Sequence, residues 1–358
     1  MDYLTKLPSE LKLRVLNHLT DASDIVKIKT LNRTFYDFSY KFALELARFE
    51  ISTVELRGSD QPNGRSMISM NLSRRINGVD HLWKYNNYYG LDVSPITSWS
   101  QRVMFSPGVV QIRLYNLIIS PKNINSIKMF VRNLLPNGFE KGQIEFKLYL
   151  VSCDFYETTM LDLQQFFGFF ISLGVETLII EDLPRYVISD LCHSLSRTDI
   201  HLVNTLRLHF TDSENLNMDS ALFHLLTTVC RTDRRMTKLI IDGHPIPMPT
   251  IAEFISEFCA SPYVDISPSP PYIRCFFSID TNMNIADVKE LREMAHVRIN
   301  ARKRKTSALR PPGAKRRRTQ IFVEFGYYEE DLPINQTLHC VIGLSVNEWT
   351  QERRLASD

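Results

Sequence analysis

The residues grouped closely enough to act together are cations. Arg302, Lys303, Arg304 and Lys305 form one cluster, and Lys315, Arg316, Arg317 and Arg318 form a second. Ten of the chain's 42 Lys and Arg fall within residues 298–318, which hold no Asp or Glu. The other 32 stand against 40 acids, so the net charge of +2 comes from one segment and implies no basic surface over the whole chain. Such a run does electrostatic work: it fits acidic pockets or contacts phosphates. Pro311-Pro312-Gly313 in its spacer prevents a continuous helix, and like charges keep the spacer extended.

Bond-making chemistry has no such grouping. The sequence carries no phosphate-binding or dinucleotide glycine loop, no H-E-x-x-H pair and no G-x-S-x-G elbow. Its nine histidines are dispersed, although His193 with His201, or His209 with His224, are candidates to approach one another in a repeat fold. Six cysteines, at 153, 192, 230, 259, 275 and 340, form no C-x-x-C and read as reduced core residues. Glu181-Asp182 and Glu329-Glu330-Asp331 read as solvated charges. The expectation is a protein with no catalytic residues, no metal and no cofactor.

The elements that would position a binding surface are regular from residue 109. Strand-like runs at 110–119, 144–152, 175–181, 203–210, 237–242 and 272–279 alternate with helical patterns at 124–135, 159–172, 187–195, 218–230, 251–258 and 285–296. Taking Ile112, Phe146, Leu178, Leu206, Leu239 and Arg274 as equivalent gives spacings of 34, 32, 28, 33 and 35 residues. A near-constant period of this kind predicts an α/β fold of stacked βα units, either a curved solenoid or an open α/β sheet. Apolar-x-apolar pairs such as Leu178-Ile-Ile180 and Leu206-Arg-Leu208 would line up as one buried ladder. Residues one step off it would face outward: Arg113, Tyr115, Lys147, Tyr149, Glu181, Arg207, His209 and Asp242. This mixture of Tyr, Arg and charge suits a protein target better than a small metabolite. Targets held by loops, including residues 57–66, are the alternative.

At the N-terminus three short helices are predicted. Leu7-Pro8-Ser9-Glu10-Leu11 opens the first, with proline suited to the first turn. Leu11, Val15, Leu16 and Leu19 follow at helical spacing, then Ile25, Ile28 and Leu31. A longer helix from about Thr34 to Glu50 carries Phe35, Phe38, Phe42, Leu46 and Phe49 on one face. Fifty residues make a small core, so exposed apolar residues here call for a partner. The ordered match of Leu7-Pro8-x-Glu10-Leu11, Leu16, Leu19, Ser23-Asp24-Ile25, Leu31-Asn32-Arg33 and Phe35-Tyr36 resembles an F-box over residues 4 to about 46. It departs from that family where Phe35 or Tyr36 fills the usual Trp position, and where Asp21-Ala22-Ser23-Asp24 lacks a frequent proline.

The resemblance implies a Skp-type adaptor bound through residues among Leu7, Pro8, Leu11, Leu16, Leu19, Ile25, Ile28, Leu31 and Phe35, and through it a cullin–RING ubiquitin ligase. The following region resembles a divergent leucine-rich-repeat solenoid, and the layout is similar to that of the large nematode F-box families. The two basic clusters resemble a bipartite import signal read by an importin. With no secretory signal, and no apolar stretch long enough to span a bilayer, the expected location is nuclear and cytoplasmic.

The expected organisation is an F-box module at 1–50, a connecting α+β segment at 51–108, a target-binding βα-repeat domain at 109–297, a basic linker at 298–319, and strands with a tail at 320–358. The expected function is the substrate receptor of an SCF-type ligase. The alternative is a nuclear scaffold or nucleic-acid-associated protein that works through its basic run.

Overall fold

A computed structural model describes residues 6–19, 22–30, 33–42, 46, 48–60, 66–76, 79–89, 102–210, 219–229, 236–260, 274–281, 289–291, 293, 297–302, 318–326 and 339–347. The chain divides into two compact units, Met1–Thr158 and Thr159–Asp358. The boundary falls inside the stretch 109–297 that the periodicity marks as one domain.

The first unit begins with helices α1 (Ser9–Asn17), α2 (Ala22–Lys29) and α3 (Arg33–Lys41). They close on Leu16, Ile25, Phe38 and Leu46, with Leu13, Leu19, Ile28 and Phe42 packed against that cluster. The predicted long third helix is shorter than expected. It ends at Lys41, and Phe49 opens strand β1 (Phe49–Ile51), paired in parallel with β5 (Val103–Phe105). Phe49 is therefore drawn out of the helical face by strand pairing.

Strands β2 (Thr53–Asp60), β3 (Ser66–Ile76), β4 (Val79–Tyr89), β6 (Gly108–Tyr115) and β7 (Ile144–Val151) build the sheet of this unit in the order β7-β6-β2-β3-β4. β7, β6 and β2 are parallel, whereas β3 and β4 run antiparallel. Residues 51–108, expected as a connecting segment, thus supply strands of the sheet itself. Ile68, Met70 and Leu72 alternate with half-buried neighbours, which is the period of a strand with one face closed. Helix α4 (Pro121–Leu134) starts at Ser120, whose side chain accepts from Asn123 N–H, with proline in the first turn. Its buried stripe includes Ile124, Ile127, Val131 and Leu134. The far end is clasped by Arg48, which donates to the carbonyls of Asn133, Leu135 and, at 3.3 Å, Val103. A cation among the last carbonyls of a helix complements its dipole.

The second unit alternates α5 (Met160–Ser172), β8 (Val175–Glu181), α6 (Arg185–Ser196), β9 (Thr205–His209), α7 (Asp219–Val229), β10 (Lys238–Ile246), α8 (Met248–Ala260) and β11 (Arg274–Thr281). A capping box between Thr159 and Asp162 starts α5. Strands β8, β9, β10 and β11 are parallel and adjacent in chain order. Beyond β11 lie β14 (His339–Asn347), parallel to it, then β13 (Arg318–Gly326) and β12 (Val297–Arg302), each antiparallel to the strand before it. Consecutive helices α5 to α8 pack on one another as one layer. Both units are therefore α/β with mixed sheets, as the expected class requires.

Three details correct the sequence reading. Ile112 lies opposite Leu148, not Phe146, a two-residue offset that leaves the faces unchanged. Leu239 lies opposite Phe277, so Arg274 is off the ladder, and the apolar alternation of Cys275, Phe277 and Ile279 sets the register. The expected helix 285–296 lies mostly outside the described residues. After it, residues 297–302 form a strand where a basic linker was expected, consistent with the alternation of Val297, Ile299 and Ala301.

Strands β6, β7, β8 and β10 end in the same way. Four residues past the first ladder residue stand Asn116, Ser152, Asp182 and Gly243, all with φ between 50° and 86°. The next residue is buried each time: Leu117, Cys153, Leu183 and His244. The turn N–H of Asn116, Asp182 and the equivalent Phe210 donates to the strand-end carbonyl of Val151, His209 and Asp242 respectively. At Gly243 a Cβ would overlap the carbonyl oxygen of Phe210, and at Gly58 that of Asn116. Gly243→Ala combines a left-handed conformation with a backbone clash, so it is expected to cost about 2–5 kcal/mol. Thermal unfolding checks this against Gly138→Ala, where φ is +73° but no atom lies within 4 Å.

Candidate functional site

Alternation divides strands β2, β6, β7, β8, β9 and β10 into a ladder face and an outward face. Leu178, Leu206 and Leu239 stand side by side in register, as do Ile180, Leu208 and Ile241, and all six are at most 1% exposed. In the first unit Ile112 and Leu114 stand beside Leu148 and Leu150. The residues between them are half-buried, and these include every one of the eight target-face candidates: Arg113, Tyr115, Lys147, Tyr149, Glu181, Arg207, His209 and Asp242.

The first unit's outward face is organised by stacking of arginine on tyrosine. Arg57 and Tyr115 are paired across β2 and β6, with the guanidinium carbon 4.9 Å from the ring centre. Arg113 and Tyr149 are paired across β6 and β7, at 5.5 Å. Each stack contributes on the order of 0.5–1 kcal/mol at such half-exposed sites and fixes the plane of the guanidinium. Arg57 also meets Glu55 at 3.4 Å, Glu55 accepts from Asn71, and Lys147 meets Glu145 at 2.9 Å. Arg113 donates from Nε and Nη2 to the amide oxygen of Gln111. Gln111 was not among the residues expected from sequence, and Arg57 entered only through the alternative segment 57–66, expected as a loop. Residues 57–60 instead belong to β2, which joins the row by pairing with β6.

In the second unit Glu181, His209 and Asp242 form one row across β8, β9 and β10. Arg207 stands one row back and meets Glu181 at 3.3 Å, while His209 meets Asp182 at 3.4 Å. Of the histidines considered from sequence, His193 and His224 face each other on α6 and α7, with ring centres 5.7 Å apart, and His201 is buried. Among the described residues no group of three or more His, Cys, Asp or Glu is placed to hold a metal ion. Burial pushes the thiols of Cys153 and Cys192 up to about 12, so neither is ionised near neutrality.

The N-terminal module divides its apolar residues differently from the expected adaptor set. Leu16, Ile25 and Phe35 are buried in the module and cannot reach a partner without opening it. Leu7, Leu19 and Ile28 are half-buried, and Leu31 lies outside the described residues. Pro8 and Leu11 are exposed, and Val15 joins them one helical turn on: Leu11 and Val15 are 45% and 43% exposed. Tyr36 on α3 is 55% exposed. Of the basic run, Arg302 ends β12 and Arg318 opens β13, while 303–317 lie outside the described residues.

No helix among the described residues is long and apolar enough to cross a membrane. Compared with known proteins, the chain is matched by no family model, no curated protein and no solved structure. The fold and these faces define an α/β protein with a row of polar and aromatic side chains on a half-buried sheet surface. The division of faces is testable by stability alone. Arg113→Gln and Arg207→Gln are expected to change unfolding free energy by about 1 kcal/mol or less, whereas Leu114→Gln and Leu208→Gln should cost about 3 kcal/mol or more. Chemical denaturation of the four variants measures both.

Proposed function

We propose that the chain is the non-catalytic substrate receptor of an SCF-type cullin–RING ubiquitin ligase. In this reading a three-helix F-box holds a Skp-type adaptor and the outward strand faces hold a protein target. The observation that carries it is the exposed apolar strip of α1. Pro8, Leu11 and Val15 lie along one side of a helix whose other side already closes the module on Leu16. Residues at i and i+4 share a helix face, so Leu11 and Val15 offer one continuous contact. Large apolar side chains left in water on so small a module mark a protein interface. A receptor needs no catalytic group, because holding a target near the transferring enzyme raises its effective concentration.

The fold supports a repeat-type target domain in two ways. Sequential parallel strands β8 to β11 meet no strand-order reversal of the kind that makes a ligand crevice in doubly wound sheets. The outward side chains Ile179, Glu181, Arg207, His209, Ile240 and Asp242 of β8, β9 and β10 are only half-buried, whereas a parallel sheet covered by helices on both faces is apolar on both. A leucine-rich-repeat-like sheet would leave that face free for a partner.

Leu11→Asp with Val15→Asp is expected to abolish co-purification with a Skp-type adaptor while the thermal unfolding of residues 51–358 is unchanged. Full retention of the adaptor by this variant would reject the receptor reading. We also propose that the basic clusters act as an import signal, giving a nuclear and cytoplasmic protein. Replacing Lys315, Arg316, Arg317 and Arg318 by Ala is then expected to shift a tagged protein to the cytoplasm. An unchanged location with lost RNA binding would favour a nucleic-acid-associated scaffold, whose binding should weaken steeply with salt.

A further inference from the structure

On β2, β6 and β7 the outward face carries three described cations whose partners differ: Arg57, Arg113 and Lys147. Two meet a carboxylate: Arg57 meets Glu55 and Lys147 meets Glu145. Arg113 meets none among the described residues. Its partners among the described residues are the neutral amide oxygen of Gln111 and the ring of Tyr149. Glu55 stands opposite Arg113 in register, but its Oε1 is taken by Asn71 at 3.1 Å and by Arg57 at 3.4 Å. A guanidinium has five N–H groups, and Gln111 accepts from two of them, on Nε and Nη2. The rest of Nη2 and both hydrogens of Nη1 are available on a side chain that is half-buried and already fixed in plane.

We infer that Arg113 is the seat for a carboxylate carried by an acidic segment of a protein target. It rests on the receptor reading in taking the ligand to be a protein segment. The charges decide the ligand class. Among the described residues of β2, β6 and β7, Arg57 with Glu55 and Lys147 with Glu145 cancel, and Arg113 is left without a carboxylate. A carboxylate brings one negative charge and two acceptor oxygens that match a guanidinium edge. A phosphate brings about 1.5 to 2 negative charges at neutral pH, more than the single charge of this seat offsets. A neutral side chain would leave the guanidinium charge unmet. Tyr149 and Gln111 hold the side chain in place before binding, so little rotamer entropy is lost when the anion arrives.

The test uses the full chain on immobilised degenerate nonapeptides with Glu, Gln or phosphoserine fixed at the centre. Glutamate peptides are expected to retain about tenfold more protein than glutamine peptides, as one charge-assisted pair warrants. They should also match or exceed phosphoserine peptides. Arg113→Gln should erase the preference. Tyr149→Leu, which removes the stack and leaves the guanidinium, should cut it severalfold and serves if the first variant fails to fold. Equal retention of Glu and Gln peptides, a preference surviving both variants, or phosphoserine favoured over glutamate would each overturn the assignment. Adaptor co-purification is read on the same preparations. A chain that prefers glutamate peptides but binds no adaptor sinks the receptor reading and leaves this seat standing.

Discussion

Parallel pairing in a fixed register is the interaction on which both units depend. Each strand must bring two apolar residues into line with those of its neighbour, under a layer of helices, and the side chain between them is then turned outward. A slip by one residue would send Leu206 and Leu208 to water and bury Arg207 and His209. Exposing two leucines costs roughly 3–6 kcal/mol, and burying an unpaired charge costs more. The register therefore has no close competitor, and the outward face is a consequence of the core rather than a separate design.

The turn after each strand keeps that register from drifting. A left-handed residue breaks the extended chain at Asn116, Ser152, Asp182 and Gly243, and the turn N–H takes the carbonyl at the end of the next strand, as Asn116 does with Val151 at 3.0 Å and Asp182 with His209 at 3.1 Å. Asn and Asp tolerate this conformation because their side chains bond locally, and Gly adopts it without strain. Gly58 and Gly243 also lie where the adjacent turn's carbonyl comes too close for any side chain. Arg48 solves a related problem at a helix end. It is 5% exposed, and burial pulls its guanidinium down to about 10, which still leaves it charged at neutral pH. Bonds to the carbonyls of Asn133, Leu135 and Val103 offset that desolvation, so one cation satisfies a helix terminus and ties it to β5.

Much of this was legible in the residues because the signals were local. Leu178-Ile-Ile180 and Leu206-Arg-Leu208 announce a strand with one buried face, and the helices between them keep their boundaries within a few residues. Arg113 and Arg207 fall on the outward face for the same reason. What escaped notice was set at long range. Arg57 stands beside Tyr115 because β2 pairs with β6 across more than fifty residues, and no short window shows that. The Arg48 clasp closes a separation of 85 residues to Asn133. Arg274 looked equivalent to Leu239 by period alone, yet pairing placed Phe277 there, since connection length varies while the alternation of a strand does not. The left-handed turn position did have a local signal, a small or polar residue four places after the first ladder residue. It was missed because Asn, Ser, Asp and Gly share a backbone conformation and not a side-chain type.

The two candidate surfaces differ in kind, and the difference bears on how a receptor of the proposed sort would work. The α1 strip is apolar: Leu11 and Val15 offer area that any shape-matched groove can cover, so affinity there scales with burial and depends little on salt. The strand face is the reverse. Its cations are mostly paired, its tyrosines are pinned by arginines, and little apolar area is left to reward nonspecific contact. A target must instead supply the complement to what is unpaired. An acidic segment that meets Arg113 gains a charge-assisted pair, and a basic one meets repulsion, so the same residue attracts and rejects. In a receptor of that sort a constant partner would be bound through area and a variable one chosen through charge. Keeping the two on separate elements lets either change in sequence without disturbing the other.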